Sequence, residues 1–231
     1  SNFGGPARVF GRSEEGQRDG GLPLIRKVDD YATSDGPGGW MPHKHKKEHH
    51  PTYKGRDGLP PSVEEAIDSF ILACAVRHLR GQRLEHSPML IHVTRFKDVQ
   101  RLVYDQVGER VRQIRQRLCR KIAHEGILAE MESLWERDFV PTWKSLNKID
   151  DALAPAGLPD WQQVSGVLAD VIQDIQIRLI NGTARDVLDY TTHKDIGLKV
   201  IAVGGDKLAR GLTLEGLCTS YFLRASKMYD P

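Results

Sequence analysis

The sequence predicts an α/β protein built on a parallel sheet, and three observations carry that prediction. Short, β-rich apolar runs occur at Met89–Val93, Ile175–Ile180, Val200–Val203 and Cys218–Leu223, each the length of a buried strand. Apolar residues at helical spacing fill most of the long interval between the first two runs. Strand and helix patterns therefore alternate at the two ends of this region, as crossover connections between parallel strands require.

Residues 12–60 read as loop. Gly, Pro, Asp, Lys and His dominate, no apolar periodicity survives, and GPGGWMPHKHKKEHHPTYKGRDGLPP has a composition that resists packing into a core. The stretch is expected to be a long excursion or flexible connector. A helix starts at Pro61, which suits a first-turn position, with Pro60 or Ser62 at the cap and Glu64 and Glu65 at the positive end of the dipole. Ala66, Ile67, Phe70, Ile71, Cys74 and Ala75 form its apolar stripe, and Gly81 stops it.

Met89–Val93 is the first strand of the sheet. Phe96–Gly108 is helical, with Val99, Leu102, Val103 and Val107 on one side, and a second helical pattern continues through Val111, Ile114, Leu118 and Ile122. Further helices are expected near 125–138 and 160–174, punctuated by Pro141, Pro155 and Pro159. Ile175–Ile180 (IQIRLI) is a strand closed by the Asn181-Gly182 turn. The Val200–Val203 strand then runs into Gly204-Gly205, a basic connector carrying Lys207 and Arg210, and the last apolar run. Glycines at the carboxyl end of a parallel strand permit unusual backbone angles and close approach of a ligand. That end is where open α/β sheets bind.

The totals are those of an ordinary soluble chain. Apolar residues make up 39%, charged residues 28%, and the formal net charge is only +2. Any nucleic-acid contact must therefore come from a local patch. Cys74, Cys119 and Cys218 are far apart, odd in number and without a CxxC pair. A zinc ribbon or disulfide framework is not expected, and a reducing cytoplasm is. No apolar stretch is long enough to cross a bilayer, so no membrane partner is expected.

The segment from Ile201 to Arg224, IAVGGDKLARGLTLEGLCTSYFLR, resembles motif V of superfamily 2 helicases, in which a strand leads to a Gly-containing turn and an Arg-Gly-Leu-Asp-like string. Here that string is Arg210, Gly211, Leu212 and Thr213, with Thr213 where a carboxylate is usual. The longer string GGDKLARGLTLEGLCTSYFLRASKMYD is similar to the Z-one domain family, often described as endonucleases of bacterial restriction and phage-defence loci. MLIHVTRF (Met89–Phe96) and GGPARVFG (Gly4–Gly11) fit the same family. The likeness is patchy over residues 3–110 and dense over 175–230.

The resemblance implies a RecA-like parallel sheet of the helicase C-terminal-lobe type with a helical insertion. Residues 1–60 would be a loop-rich basic tail of a preceding lobe, and 61–110 the first part of the RecA-like lobe. Residues 111–174 would be the insertion, and 175–231 the second part, ending before motif VI. The chain would then be a fragment of a helicase-related, ATP-dependent DNA-processing protein of a bacterial defence system. ATP and magnesium would belong to the full-length protein and no cofactor to this piece, which would be inactive alone. DNA would be its partner, together with another ATPase or nuclease of the defence locus.

The residues facing nucleic acid or nucleotide would be Gly204, Gly205, Asp206, Lys207, Arg210, Gly211 and Thr213. His92, Thr94 and Arg95, at the motif-IV-like position, are secondary candidates. Backbone N–H groups and hydroxyls there suit phosphate or sugar contact without base reading. The bland alternative is a tight turn whose glycines serve geometry alone.

Two other charged tracts carry open readings. His43, His45, His49 and His50 could hold a metal by composition alone, but no carboxylate or cysteine partner is suitably spaced, and a solvated basic loop is the preferred reading. Arg110, Arg112, Arg115, Arg117, Arg120 and Lys121 flank an apolar helical stripe and are either a solvated face or a phosphate-binding rail. The chain has no GxxxxGK[ST], GxSxG or HExxH, no strand-borne (Asp/Glu)-x-Lys after an Asp, and no His-Asn-His array. A metal-dependent endonuclease and a non-catalytic docking module for a partner ATPase stand as the alternatives.

Overall fold

The computed structural model describes residues 12–14, 17–19, 24–32, 38–149, 157–180, 197–205 and 215–223. Its centre is a parallel sheet of β5 (Ser87–His92), β6 (Ile175–Ile180), β7 (Lys199–Gly204) and β8 (Thr219–Phe222), in the order β6-β7-β5-β8. Met89 pairs with Ile201 on one side and with Thr219 on the other. Two short antiparallel hairpins precede the sheet, β1 (Arg12–Glu14) with β2 (Gln17–Asp19), and β3 (Thr52–Tyr53) with β4 (Arg56–Asp57). Each of the four apolar runs becomes a strand of the sheet within a residue or two of its expected bounds.

Alternate residues of the strands separate the two faces of the sheet. Met89, Ile91, Ile175, Ile201, Val203 and Tyr221 join the large core together with the helices. Leu198, Val200, Ala202 and Ile180, with Leu90, form a second cluster that among the described residues contains only the sheet and its flank. β7 is buried along its whole length because both its faces are covered.

Helix α1 (Pro61–Leu79) starts where proline's fixed φ and missing N–H suit a first turn. Its capping residue, Pro60, offers no side-chain acceptor, so Asp30 supplies one from a distant segment: the Ser62 N–H donates to Asp30 Oδ2 at 2.8 Å. The Ser62 hydroxyl also meets Asp30 Oδ1 and lies 2.8 Å from the Tyr221 hydroxyl, tying this helix to β8. Gly81, at φ +74°, lies just beyond the helix end.

Helix α2 (Lys97–Arg120) joins the two helical patterns of the sequence into one element. Val99, Val103, Val107, Val111, Ile114 and Leu118 make a single buried stripe along it. The boundary expected at residue 110 falls inside this helix. Helix α3 (Glu125–Leu134) passes through a π-turn (Trp135–Phe139) into α4 (Val140–Ile149). Pro141 therefore does not end the helical segment. In a regular α-helix its ring would crowd the carbonyl four residues back, and the wider turn just before it makes room. Helix α5 (Trp161–Asp174) begins with a complete capping box between Asp160 and Gln163 and leads directly into β6.

One expectation is corrected here. Residues 38–59 are largely irregular, as their composition requires, but they pack into the core. Trp40 is 0% and Met41 2% exposed. Trp40 Nε1 donates to Gln106 Oε1 of α2 at 2.8 Å, and Gln106 Nε2 donates in turn to the carbonyl of Pro51 at 2.8 Å. A tryptophan offers more apolar surface than most side chains, and one Trp-Met pair anchors a tract that is otherwise polar.

Candidate functional site

β5 and β7 are adjacent and parallel, and their connections run to opposite edges of the sheet. From β5 the chain travels to β6 at one edge. After β7 the next strand, β8, lies at the other edge, beyond β5. The carboxyl ends of such a pair bound a crevice, the place where open α/β sheets receive ligands. The loop after β5 (Val93–Phe96) and the start of the loop after β7 (Gly205) meet there.

Their contact is close. A Cβ on Gly205 would overlap the side-chain amide of Gln100 and lie 3.3 Å from the Thr94 carbonyl oxygen. Gln100, in the first turn of α2, donates through Nε2 to that same carbonyl at 2.9 Å. A side chain at Gly205 would thus have to displace the end of Gln100 from that carbonyl. Neither Gly204 nor Gly205 has the left-handed backbone that their pairing suggested, and Gly204 is a strand residue paired with Ile180.

The secondary candidates divide. Thr94 is 4% and His92 5% exposed, so both are buried parts of the scaffold. His92 stacks on Phe222 of β8, centroids 4.8 Å apart, and its carbonyl accepts from the Leu223 N–H at 2.9 Å. Arg95 alone of the three is exposed. Its guanidinium lies over the Phe96 ring, 5.0 Å from the centroid. Asp206, Lys207, Arg210, Gly211 and Thr213 lie outside the described residues.

Above Thr94 sits a strap, residues 38–50, and its contacts fix the direction of each hydrogen bond. His45 Nδ1 is 2.6 Å from the Pro42 carbonyl, which can only accept, so Nδ1 carries the proton. In neutral His45, Nε2 is then an acceptor, and the Thr94 hydroxyl donates to it at 2.7 Å. The Thr94 oxygen accepts in turn from the Phe96 N–H at 3.2 Å. The His45 ring also meets the Phe96 ring edge-on at 5.5 Å, and His49 Nε2 donates to the Trp40 carbonyl at 2.9 Å. Burial pulls the His45 pKa below its ordinary 6.5; the hydrogen bond to Pro42 opposes this, and the charges of His49 and Arg95 add to it.

His45, Gln100 and Trp40 were not singled out in the sequence as parts of this edge. The available signal was the lone Trp40-Met41 pair in a polar tract, which marks an anchor. Nothing in the sequence pairs His45 with Thr94, because the contact spans 49 positions.

The other charged tracts resolve differently. Among the described residues no group of three His, Cys, Asp or Glu side chains is placed to hold a metal. On α2, Arg110 turns inward to Asp68 (3.2 Å), Glu130 (3.6 Å) and Glu64 (4.0 Å). Arg115 donates to the carbonyls of Ile172 (3.1 Å) and Ile175 (2.7 Å), and Arg112 pairs with Glu109. Burial pushes the Asp68 carboxyl up to about 6 although Arg110 pulls the other way, because Asp68 is only 5% exposed and Glu130 and Glu64 lie near.

Among known proteins, the family model described as the Z1 domain, the Z-one family of the resemblance above, matches residues 62–231. No curated protein and no solved structure is significantly similar to the chain. The match begins at the second residue of α1, takes in every strand of the parallel sheet and covers well over half of the sequence: the chain belongs to the Z1 domain family.

Proposed function

We propose that this chain is the DNA-backbone-facing lobe of a superfamily 2 helicase-related, ATP-dependent DNA-processing protein, with the carboxyl edge of β5 and β7 as its contact surface. One observation carries the reading. The two loops that the sequence likens to helicase motifs IV and V leave adjacent parallel strands and pack on each other at Thr94 and Gly205, at the switch point of the sheet. Arg95 stands exposed at that junction, and the basic connector with Lys207 and Arg210 continues from Gly205 in the chain.

Cations and backbone N–H groups at such an edge suit phosphate oxygens, which position a nucleic acid without reading its bases. The sequence has no phosphate-cradling P-loop. The proposal therefore gives this lobe the DNA backbone and leaves ATP and magnesium to another part of the full-length protein, in the setting of a bacterial defence system.

The test is DNA affinity at several salt concentrations for Arg95→Ala and Arg210→Ala. A lost charge-assisted contact should weaken binding roughly ten- to hundred-fold, as about 1.5–3 kcal/mol implies, and about equally for unrelated sequences. Sequence-dependent losses, or none at all, would argue against a backbone contact.

A further inference from the structure

The family match begins at Ser62, yet the carboxyl edge of β5 is finished by residues that precede it. Within the strap the side chains are sorted. Trp40 and Met41 are buried in the core, and His45 and His49 are half-buried over Thr94 and the Trp40 backbone. Lys44, Lys46 and Lys47 are all exposed. Lys47 is paired with its neighbour Glu48 at 3.6 Å, while Lys44 and Lys46 have no ion pair among the described residues. These two lysines immediately flank His45, the residue seated on Thr94, and Arg95 is close enough to depress the basicity of that imidazole. Lys97, at the start of α2, is exposed two residues beyond Arg95.

We infer that the strap is a built part of the contact surface: Lys44 and Lys46 bind nucleic-acid phosphate beside Arg95, and His45 is the positioning residue that seats them. The inference rests on the DNA-backbone reading above and extends it to residues outside the family match. A lysine on a free tail loses conformational entropy whenever it binds. Here the backbone that carries both lysines is already fixed, by Trp40 in the core, by the His49 bond to the Trp40 carbonyl and by the His45–Thr94 bond. Binding then costs chiefly the ordering of the two side chains. The remaining neighbours of His45 among the described residues are the His49 ring, 5.4 Å away, the Phe96 ring and the Pro42 carbonyl. Among the described residues no carboxylate is bonded to its imidazole; around it in the strap and at the start of α2, Lys44, Lys46, Lys47, Arg95 and Lys97 stand against Glu48 and Asp98.

The experiment uses the full 231-residue chain and a fluorescent duplex oligonucleotide, with affinity measured from low to moderate salt. Five proteins are compared: the unaltered chain, Lys44→Ala/Lys46→Ala, His45→Ala, Arg95→Ala, and Arg117→Ala/Arg120→Ala. The last removes two exposed arginines at the far end of α2. The lysine pair should make the log–log salt dependence shallower by roughly two contacts of about 0.9 each, with an unchanged melt. His45→Ala should give a similar loss although both lysines remain, together with faster hydrogen exchange at the Phe96 amide. The Arg117/Arg120 pair should change the slope little. An effect of Arg95→Ala with none of the lysine pair overturns the strap and leaves the DNA reading standing. An equal effect of the Arg117/Arg120 pair replaces a local surface with general attraction to charge. No binding by the unaltered chain at low salt removes both proposals.

Discussion

The strap and helix α2 are both dense in basic residues, and in the sequence they carry the same bland reading as solvated charge. The structure separates them in part, since Arg112, Arg117 and Arg120 of α2 stay exposed. On α2, Arg110 and Arg115 are spent inside the protein, one on a buried carboxylate and the other on the carbonyls at the α5–β6 junction. On the strap the core-facing positions are taken by Trp40, Met41 and two imidazoles, and the lysines are left outside. Basic content alone thus says little about nucleic-acid contact. On the proposed reading, what matters is whether each cation already has an internal partner and whether its backbone is fixed beside a site.

The largest effect that could break this contrast is at Trp40. If the strap is anchored in the core, Trp40→Ala should cost about 3–5 kcal/mol, a fall in melting temperature on the order of 10 °C for a chain of this size. Arg117→Ala/Arg120→Ala should change stability by no more than roughly 0.5 kcal/mol, as exposed substitutions usually do. A melt as indifferent to Trp40 as to those arginines would mean that the strap is not part of the core.

Arg110 tests the other half of the contrast. Its removal leaves Asp68 buried beside Glu64 and Glu130, and breaking a buried pair costs about 3–5 kcal/mol. The Asp68 carboxyl is already raised, to about 6. A raised carboxyl contributes stability that is complete below its unfolded pKa and is lost as pH rises through the folded value. The cost of Arg110→Ala should accordingly be larger at pH 7.5, where Arg110 is needed to hold Asp68 ionised, than at pH 5, where Asp68 takes a proton with or without Arg110. Thermal melts of Arg110→Ala and the unaltered chain at the two pH values measure this, and an equal difference at both would show that Asp68 is not the group left behind.

Next comes Gly205. Any side chain there must displace Gln100 from the Thr94 carbonyl, so Gly205→Val should cost about 1–3 kcal/mol, in the range of other overpacking changes. Gly205→Val combined with Gln100→Ala should recover part of that loss, since the second change opens the space. A double variant whose loss equals the sum of the two single losses would place the strain elsewhere.

The smallest expected effect is at His45, and its sign follows from the lowered pKa. The fold favours the neutral ring, so the strap's contribution is present above pH 6.5, the ordinary imidazole value, and is lost as pH falls through the lower folded pKa. Protonation also turns Nε2 into a donor, which strands the proton of the Thr94 hydroxyl. Hydrogen exchange at Phe96 should therefore accelerate below pH 6.5 relative to amides in β7. In His45→Ala that acceleration should vanish. If it persists, another group loosens the loop.

Much of this was legible in the sequence, and the reasons are physical. Strands covered on both faces read as short unbroken apolar runs, so β5 and β7 stood out. Helix α1 announced itself through Pro61, because end effects are local, whereas the Asp160 capping box of α5 came to light only in the structure. What failed was long-range. The Trp40–Gln106 bond spans 66 positions, so a tract that is polar on average looked unable to pack. Gly205 was read as a residue needing unusual angles, whereas its constraint is the Gln100 side chain held on the Thr94 carbonyl, more than a hundred residues earlier. Pro141 looked like a helix end, and the π-turn before it has no signature in composition. The loop from Asp206 to Thr213 carries most of the residues on which the resemblance to motif V rests, and it lies outside the described residues.

The central claim is that the carboxyl edge of β5 and β7 meets a nucleic-acid backbone. Its most direct measurement is the salt dependence of duplex DNA affinity for the full chain beside Arg95→Ala. The account predicts that the logarithm of affinity falls linearly with the logarithm of salt, and that Arg95→Ala makes the slope shallower by about one contact while the melt stays unchanged. Binding that is absent at low salt, or an Arg95→Ala slope that superimposes on that of the unaltered chain, would contradict it.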